Sequence, residues 1–165
     1  MAERSMADRD KAERILLVGS GGREDALAHA MRKSALCERL HCAPGNPGIA
    51  RWAEIVALDV NNHASVVQWC ADNAITLIVI GPDGIIADGL ADPLRDAGFN
   101  VFAPSKDASQ IEASKAFAKS AMARFGIPTA GYKVFTNYQR AEAEQFVREL
   151  GAPVVVKADG LAAGK

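Results

Sequence analysis

The sequence predicts an α/β fold: an open parallel sheet with helices on both faces, followed by the beginning of a second domain. Two observations carry this prediction. Ile15–Val18 and Thr76–Ile80 are short apolar runs, each ending in a glycine, the profile of buried parallel strands. Between such runs lie longer stretches with apolar residues at helical spacing, which gives a β-α-β-α order with right-handed crossovers. In sheets of this kind ligands sit at the carboxyl ends of the strands.

The elements follow in order. Met1–Glu13 carries charges of both signs with no apolar stretch before a cleavage site, so it reads as a disordered leader and not a secretory signal. Ile15–Val18 is the first strand and Glu24–Lys33 the first helix, with Leu27 and Met31 on one face. Leu40–Ala43 is a second strand, closed by the turn residues Pro44-Gly45-Asn46-Pro47-Gly48, and Glu54–Leu58 is a third. Asn62 is placed to cap a helix through Ala71 whose stripe is Val66, Val67 and Cys70. After the Thr76–Ile80 strand, Ile86, Leu90 and Leu94 mark a helix that contains Pro93, which predicts a kink or a start near Asp92. Asn100–Ala103 is a further strand. Beyond Pro104 the texture changes: a helix over Ser109–Phe125, strands at Gly131–Thr136 and Pro153–Lys157, and a helix over Asn137–Leu150 between them. A boundary between Ser105 and Ser114 divides the chain into domains at 14–110 and 111–165.

Composition narrows the function classes. Of 165 residues, 49% are hydrophobic and 24% charged, which fits a globular protein and excludes a disordered or collagen-like one. Nineteen basic against 20 acidic residues leave a net charge of −1, without the footprint of a nucleic-acid binder or a polybasic membrane anchor. The run Ile75–Ile80 stops far short of a membrane span. Cys37, Cys42 and Cys70 form no CxxC pair and read as reduced thiols of a cytoplasmic protein. His29, His41 and His63 lack metal-ligand spacing, so no zinc site is expected.

The richest local signal is Gly19-Ser20-Gly21-Gly22-Arg23-Glu24-Asp25, between the first strand and the first helix. Glycines allow a tight turn there, and the helix start offers unpaired N–H groups and a positive dipole end, together an anion site. A dinucleotide fingerprint would need glycine where Glu24 stands and an acid where Cys42-Ala43-Pro44 ends the second strand, so NAD is disfavoured. A small phosphorylated ligand held by Gly21, Gly22 and Arg23 fits better; the alternative is a tight βα turn with no ligand. Asn46 and Asp83 lie in loops after other strands and would open on the same rim, where they could bond a sugar, or could simply shape turns. Lys157 ends the run Val154-Val155-Val156 and precedes Gly160 to Lys165, a small-residue loop suited to polyphosphate or an exposed loop with ordinary lysines. It is not a Walker A loop, since three residues and not four separate Gly160 from Gly164.

Five segments occur together and in order: ILLVGSGGREDALAHA, HCAPGNPGIA, LIVIGPDGII, VFAPSKDASQIEASKAFAKSAMARFGIPTA and PVVVKADGLAAGK. In this the chain, from Arg14 to Lys165, resembles the phosphoribosylamine–glycine ligases, ATP-grasp enzymes of purine synthesis. The resemblance implies that the sheet is a pre-ATP-grasp domain followed by the start of an ATP-grasp domain. It implies ATP, glycine and 5-phosphoribosylamine as substrates, and Mg²⁺ as a cofactor with ligands beyond Lys165. By motif matching, phosphoribosylamine falls on Gly21, Gly22, Arg23, Asn46 and Asp83. ATP phosphates fall on Lys115 and Lys157, with Gly160, Gly164 and Lys165 in the loop that covers the nucleotide.

The sequence departs from that family at Asp25, where histidine is usual, at Asp83, where glutamate is usual, and at Ile85-Ile86, where Pro-Leu is usual. Family members are more than twice as long, so the chain is expected to be an amino-terminal portion, inactive in the full reaction by itself. The rival expectation is a short non-catalytic protein that binds a sugar phosphate or a nucleotide.

Overall fold

The computed structural model describes residues 12–161. Strand β1 (Glu13–Gly19) sits at the centre of a five-stranded sheet, bonded on one side to β2 (Cys37–Pro44) and on the other to β4 (Leu77–Ile80). Leu17 lies opposite Cys42 on β2 and Val79 on β4. The outer strands are β3 (Glu54–Ile55) beside β2 and β5 (Asn100–Phe102) beside β4. The order is β3-β2-β1-β4-β5, with every pairing parallel. β1 begins two residues earlier than the sequence suggests, inside the stretch read as a leader, and the leader's residues 1–11 lie outside the described residues.

Both faces of the sheet are covered, as a run apolar at every position requires. Leu16 and Val18 face one way, packed with Val66, Cys70, Leu90 and Leu94. Ile15 and Leu17 face the other, packed with Ala28, Leu40, Cys42 and Ile49. Each of these Leu, Ile and Val side chains contributes about 1.5–3 kcal/mol by leaving water. Helix α1 (Gly22–Arg32) brings Ala28 to the second layer, and a single 3₁₀ turn at Ile49–Arg51 adds Ile49. Helix α2 (His63–Asp72) serves the first layer through Val66 and Cys70, one turn apart and both buried. Its start is fixed by Asn62, whose Oδ1 accepts the Ser65 N–H at 3.1 Å. All three cysteines are free and buried, and burial pushes the Cys42 thiol up to about 11 and the Cys70 thiol up to about 12.

Around Pro93 the structure shows a helix that starts near Asp92, one of the two expected outcomes, in place of a single kinked helix. Two short helices replace it, α3 (Asp83–Asp88) and α4 (Ala91–Asp96), because Gly89 takes a left-handed φ of +97° and ends α3. Pro93 then falls in the first turn of α4, where a missing N–H costs no intrahelical bond. The helix expected over Ser109–Phe125 is likewise two: α5 (Lys106–Ala113) and α6 (Lys115–Arg124). Ser114 leaves helical geometry between them, and its Oγ accepts the Phe117 N–H at 3.1 Å as the cap of α6.

The chain divides into two compact units between Ser109 and Gln110. The second contains α6 and α7 (Arg140–Leu150). The strands expected at Gly131–Thr136 and Pro153–Lys157 do not form: neither segment has a ladder partner among the described residues, and Val155 and Val156 stand exposed. A strand is defined by its neighbour, and β propensity alone does not make one.

One buried group ties the sheet to pH. His41 on β2 is 4% exposed, edge-on to Trp69 with ring centroids 5.3 Å apart, and neither ring nitrogen has a hydrogen-bond partner among the described residues. Desolvation lowers its pKa below 6.5; Glu54, 3.6 Å away, opposes the shift, and Arg39 and Arg14 reinforce it. The unfolded chain therefore takes up a proton that the native state resists. Stability is fully present above 6.5 and is lost as pH falls through and below that value. Melting curves from about pH 7.5 down to about pH 5 should show Tm falling more steeply for the natural protein than for His41→Phe. Parallel curves for the two would remove His41 as the cause.

Candidate functional site

The strand order reverses its direction of growth at β1. From β1 the chain moves outward to β2 and β3, then returns through α2 to place β4 on the other side. The loops after β1 and β4 therefore diverge to opposite faces and leave a crevice between them, the usual ligand position of open parallel sheets. Gly22, the first residue of α1, opens onto this rim. Backbone bonds draw three loops together there: the Gly45 N–H donates to the Gly19 carbonyl and the Gly81 N–H to the Val18 carbonyl, both at 3.0 Å.

Five of the residues singled out in the sequence, Gly21, Gly22, Arg23, Asn46 and Asp83, meet on this rim. Arg23, in the first turn of α1, places its guanidinium 3.4 Å from the carboxylate of Asp83, which begins α3. Both side chains are solvent-accessible. Asn46 is committed to local structure: its Nδ2 donates to the Ser20 carbonyl at 2.7 Å, and its Oδ1 accepts the Ile49 N–H at 2.9 Å. It thus ties the loop after β2 to the loop after β1. Gly21 is the N-cap of α1, and its N–H is already used. The donors left at this helix start are backbone N–H groups further into the first turn, together with Arg23.

What uses the Gly21 N–H is Glu24, which the sequence marks as a helix start and as a non-glycine in the dinucleotide pattern, with no role of its own. Its Oε2 accepts that N–H at 2.6 Å, the returning half of a capping box. Glu24 is 3% exposed, and its Oε1 has no hydrogen-bond partner among the described residues. The side chain fills the floor of the crevice. A β-carbon on Gly81 would lie 2.1 Å from Oε1, and one on Gly19 would lie 2.4 Å from Glu24 Cγ. Gly19 at the end of β1 and Gly81 just after β4 are thus needed for the glutamate as well as for the turn. The signal was present in the sequence, since glutamate three residues after an N-cap glycine is where a reaching-back carboxylate belongs. Asp25, next along, faces away from this floor toward Gly48 and Arg51, whose guanidinium is 3.7 Å from its carboxylate.

In the second unit, Lys115 is held at both ends by the loop that follows Lys157. Its backbone N–H donates to Asp159 Oδ1 at 2.6 Å, and its Nζ donates to the Gly160 carbonyl at 2.5 Å. Asp159 also accepts from the Ala116 N–H at 3.2 Å and the Ser114 hydroxyl at 3.0 Å, so it caps α6 from outside the helix. Lys157 is exposed. Gly164 and Lys165 lie outside the described residues. Among the described residues no three His, Cys, Asp or Glu side chains gather to hold a metal, and no helix is long and apolar enough to cross a membrane.

Residues 13–112 match the family model "Phosphoribosylglycinamide synthetase, N domain", and residues 113–165 match the "ATP-grasp (A) domain" of the same synthetase. The phosphoribosylamine–glycine ligase of Agrobacterium fabrum is 52% identical over 153 residues, covering 92% of this chain and 36% of its own length. That of Brucella melitensis is 50% identical over 152 residues, 92% of this chain and 35% of its own. The chain therefore spans about a third of the length of these relatives. The crystal structure of the Thermotoga maritima enzyme superposes with a TM-score of 0.72 at 31% identity, covering 92% of this chain and 34% of that one. The biotin carboxylase domain of Hydrogenobacter thermophilus 2-oxoglutarate carboxylase gives a TM-score of 0.70 at 18% identity, over 94% and 37% of the two chains, a likeness of fold alone. Nothing in these likenesses supports the reading as a non-catalytic binding protein.

The cap on α6 has a direct readout. The Asp159 carboxyl is held below its usual value of 3.8, first by the Ala116 N–H, with Ser114, Lys115 and Gly160 adding to it. A lowered acid stabilises the latch above 3.8 and releases it as pH falls below that. Hydrogen exchange at the Lys115 and Ala116 amides should quicken in Asp159→Ala at neutral pH. Unchanged exchange there would mean that Asp159 does not cap α6 in solution.

Proposed function

The chain belongs to the phosphoribosylglycinamide synthetase family, and from that premise we propose that it is part of an ATP-dependent ligase that joins glycine to 5-phosphoribosylamine. In this reading the first unit holds the sugar phosphate. The second begins the ATP-binding domain, and the whole works in the cytoplasm. The observation that carries the reading is the rim itself: a helix start and Arg23 stand beside the Asp83 carboxylate at the point where the sheet reverses. An anion site next to an acceptor for hydroxyl or amine protons suits a phosphorylated amino sugar.

The chemistry required is activation of a poor electrophile. The glycine carboxylate oxygen attacks the γ-phosphorus of ATP, ADP leaves, and an acyl phosphate forms. The amine nitrogen of phosphoribosylamine then attacks the acyl carbon, the C–O bond to phosphate breaks, and the amide, phosphate and a proton are released. Arg23 and the first-turn N–H groups of α1 would fix the 5-phosphate, and Asp83 would take a hydroxyl or amine hydrogen bond that sets the nucleophile's direction. Asn46 keeps the β1 and β2 loops in register beneath the sugar. Lys115 would exchange the Gly160 carbonyl for a phosphate oxygen of ATP, and Lys157 would add a second cation. Charge neutralisation on the polyphosphate is what Mg²⁺ supplies when bound, and the described residues contain no cluster fit to hold it.

Two experiments on the full-length protein test this reading. Glycine labelled with ¹⁸O in its carboxylate should pass one labelled oxygen to inorganic phosphate in each turnover. Unlabelled phosphate would exclude the acyl phosphate route. Arg23→Ala should raise KM for phosphoribosylamine by about tenfold or more while KM for ATP moves less than about twofold. An equal rise in both would remove Arg23 from the sugar-phosphate site.

A further inference from the structure

The least expected group in the crevice is the buried carboxylate of Glu24. An apolar side chain would fill the same space at lower desolvation cost, so the acid answers a need other than packing. Three observations locate that need. Oε2 holds the Gly21 N–H at 2.6 Å and so fixes the turn that launches Arg23. The carboxylate end lies against Gly81, where even a methyl group would collide, and so fixes the turn that launches Asp83 two residues later. Arg23 and Asp83 then meet at 3.4 Å across the opening. The positive end of α1 provides the field that lets a carboxylate remain at this depth.

We propose that Glu24 is the positioning residue of the crevice, a strut between the β1 and β4 loops that sets the separation of Arg23 and Asp83. This rests on the reading of those two residues as the sugar-phosphate site. Glu24 itself does not touch the ligand: both its oxygens lie beneath the glycine turns, and the side chain is only 3% exposed. What it supplies is reach and shape with one acceptor atom, and glutamine supplies the same.

The test uses the full-length protein and its KM values. Glu24→Ala should raise KM for phosphoribosylamine by about tenfold or more and leave KM for ATP within about twofold, while Glu24→Gln should keep both within about threefold. Glu24→Asp, one methylene too short to reach Gly21, should behave like Glu24→Ala and carries the test if the alanine variant fails to fold. Gly81→Ala should raise KM for phosphoribosylamine similarly, because its methyl group displaces the strut. Combined with Glu24→Ala it should add little, since the atoms it would strike are gone. A glutamine variant as impaired as the alanine one would show that the charge matters directly and would overturn the proposal. Independent, multiplying effects of Gly81→Ala and Glu24→Ala would overturn it too, as would equal rises in both KM values. Arg23→Ala separates the two levels of inference. If it leaves phosphoribosylamine binding unchanged, the site reading falls. If it weakens that binding while the Glu24 variants do not, only the strut falls.

Discussion

The architecture of the first unit depends on β1 being paired along both edges. Leu17 has Cys42 on one side and Val79 on the other, so the strand has no free edge and its side chains must be apolar on both faces. That requirement explains Ile15-Leu16-Leu17-Val18, and it also fixes where the chain can react with anything. A strand sealed on both edges and both faces is accessible only at its ends. Its carboxyl end is where the neighbouring connections part to opposite layers. The glycine loop, Arg23 and Asp83 gather there because no other place beside β1 is open.

This constraint made much of the fold legible from residues alone. A fully apolar run signals a buried parallel strand, and Asn62 signals a helix start, since each acts through local chemistry. Elements were missed where the deciding partner lay elsewhere in the chain or in a backbone conformation. Gly89 splits α3 from α4 by adopting a left-handed φ that composition does not announce. Ser114 divides α5 from α6 because its hydroxyl caps the second helix, yet serine is tolerated within a helix. The segments at 131–136 and 153–157 have strand-like residues and no strand to pair with among those described.

The arrangement of the candidate site was legible in a similar measure. Arg23, Asp83 and Asn46 could be assigned to one rim because a parallel sheet puts the loops after its strands on one side. Their mutual contacts could not, since Asn46 turned inward to the Ser20 carbonyl while Arg23 turned to Asp83. Glu24 was passed over because a glutamate in the first turn of a helix is ordinarily a solvated residue, and its burial arises only when β4 brings Gly81 against it. The second unit offers the same lesson: Lys115 and Asp159 are 44 residues apart in sequence and become partners only through the fold.

The brevity of the outermost strands has a consequence for how the molecule behaves among its own copies. β3 has two residues and β5 three, against seven and eight for the inner β1 and β2. An outer strand offers unsatisfied N–H and C=O groups to any passing chain in proportion to its length. Here each side of the sheet ends in little more than a single pairing step. The sheet is thus tapered, and its borders are poor templates for edge-to-edge growth into fibrils even though β1 and β4 carry the aliphatic runs Ile15–Val18 and Leu77–Ile80.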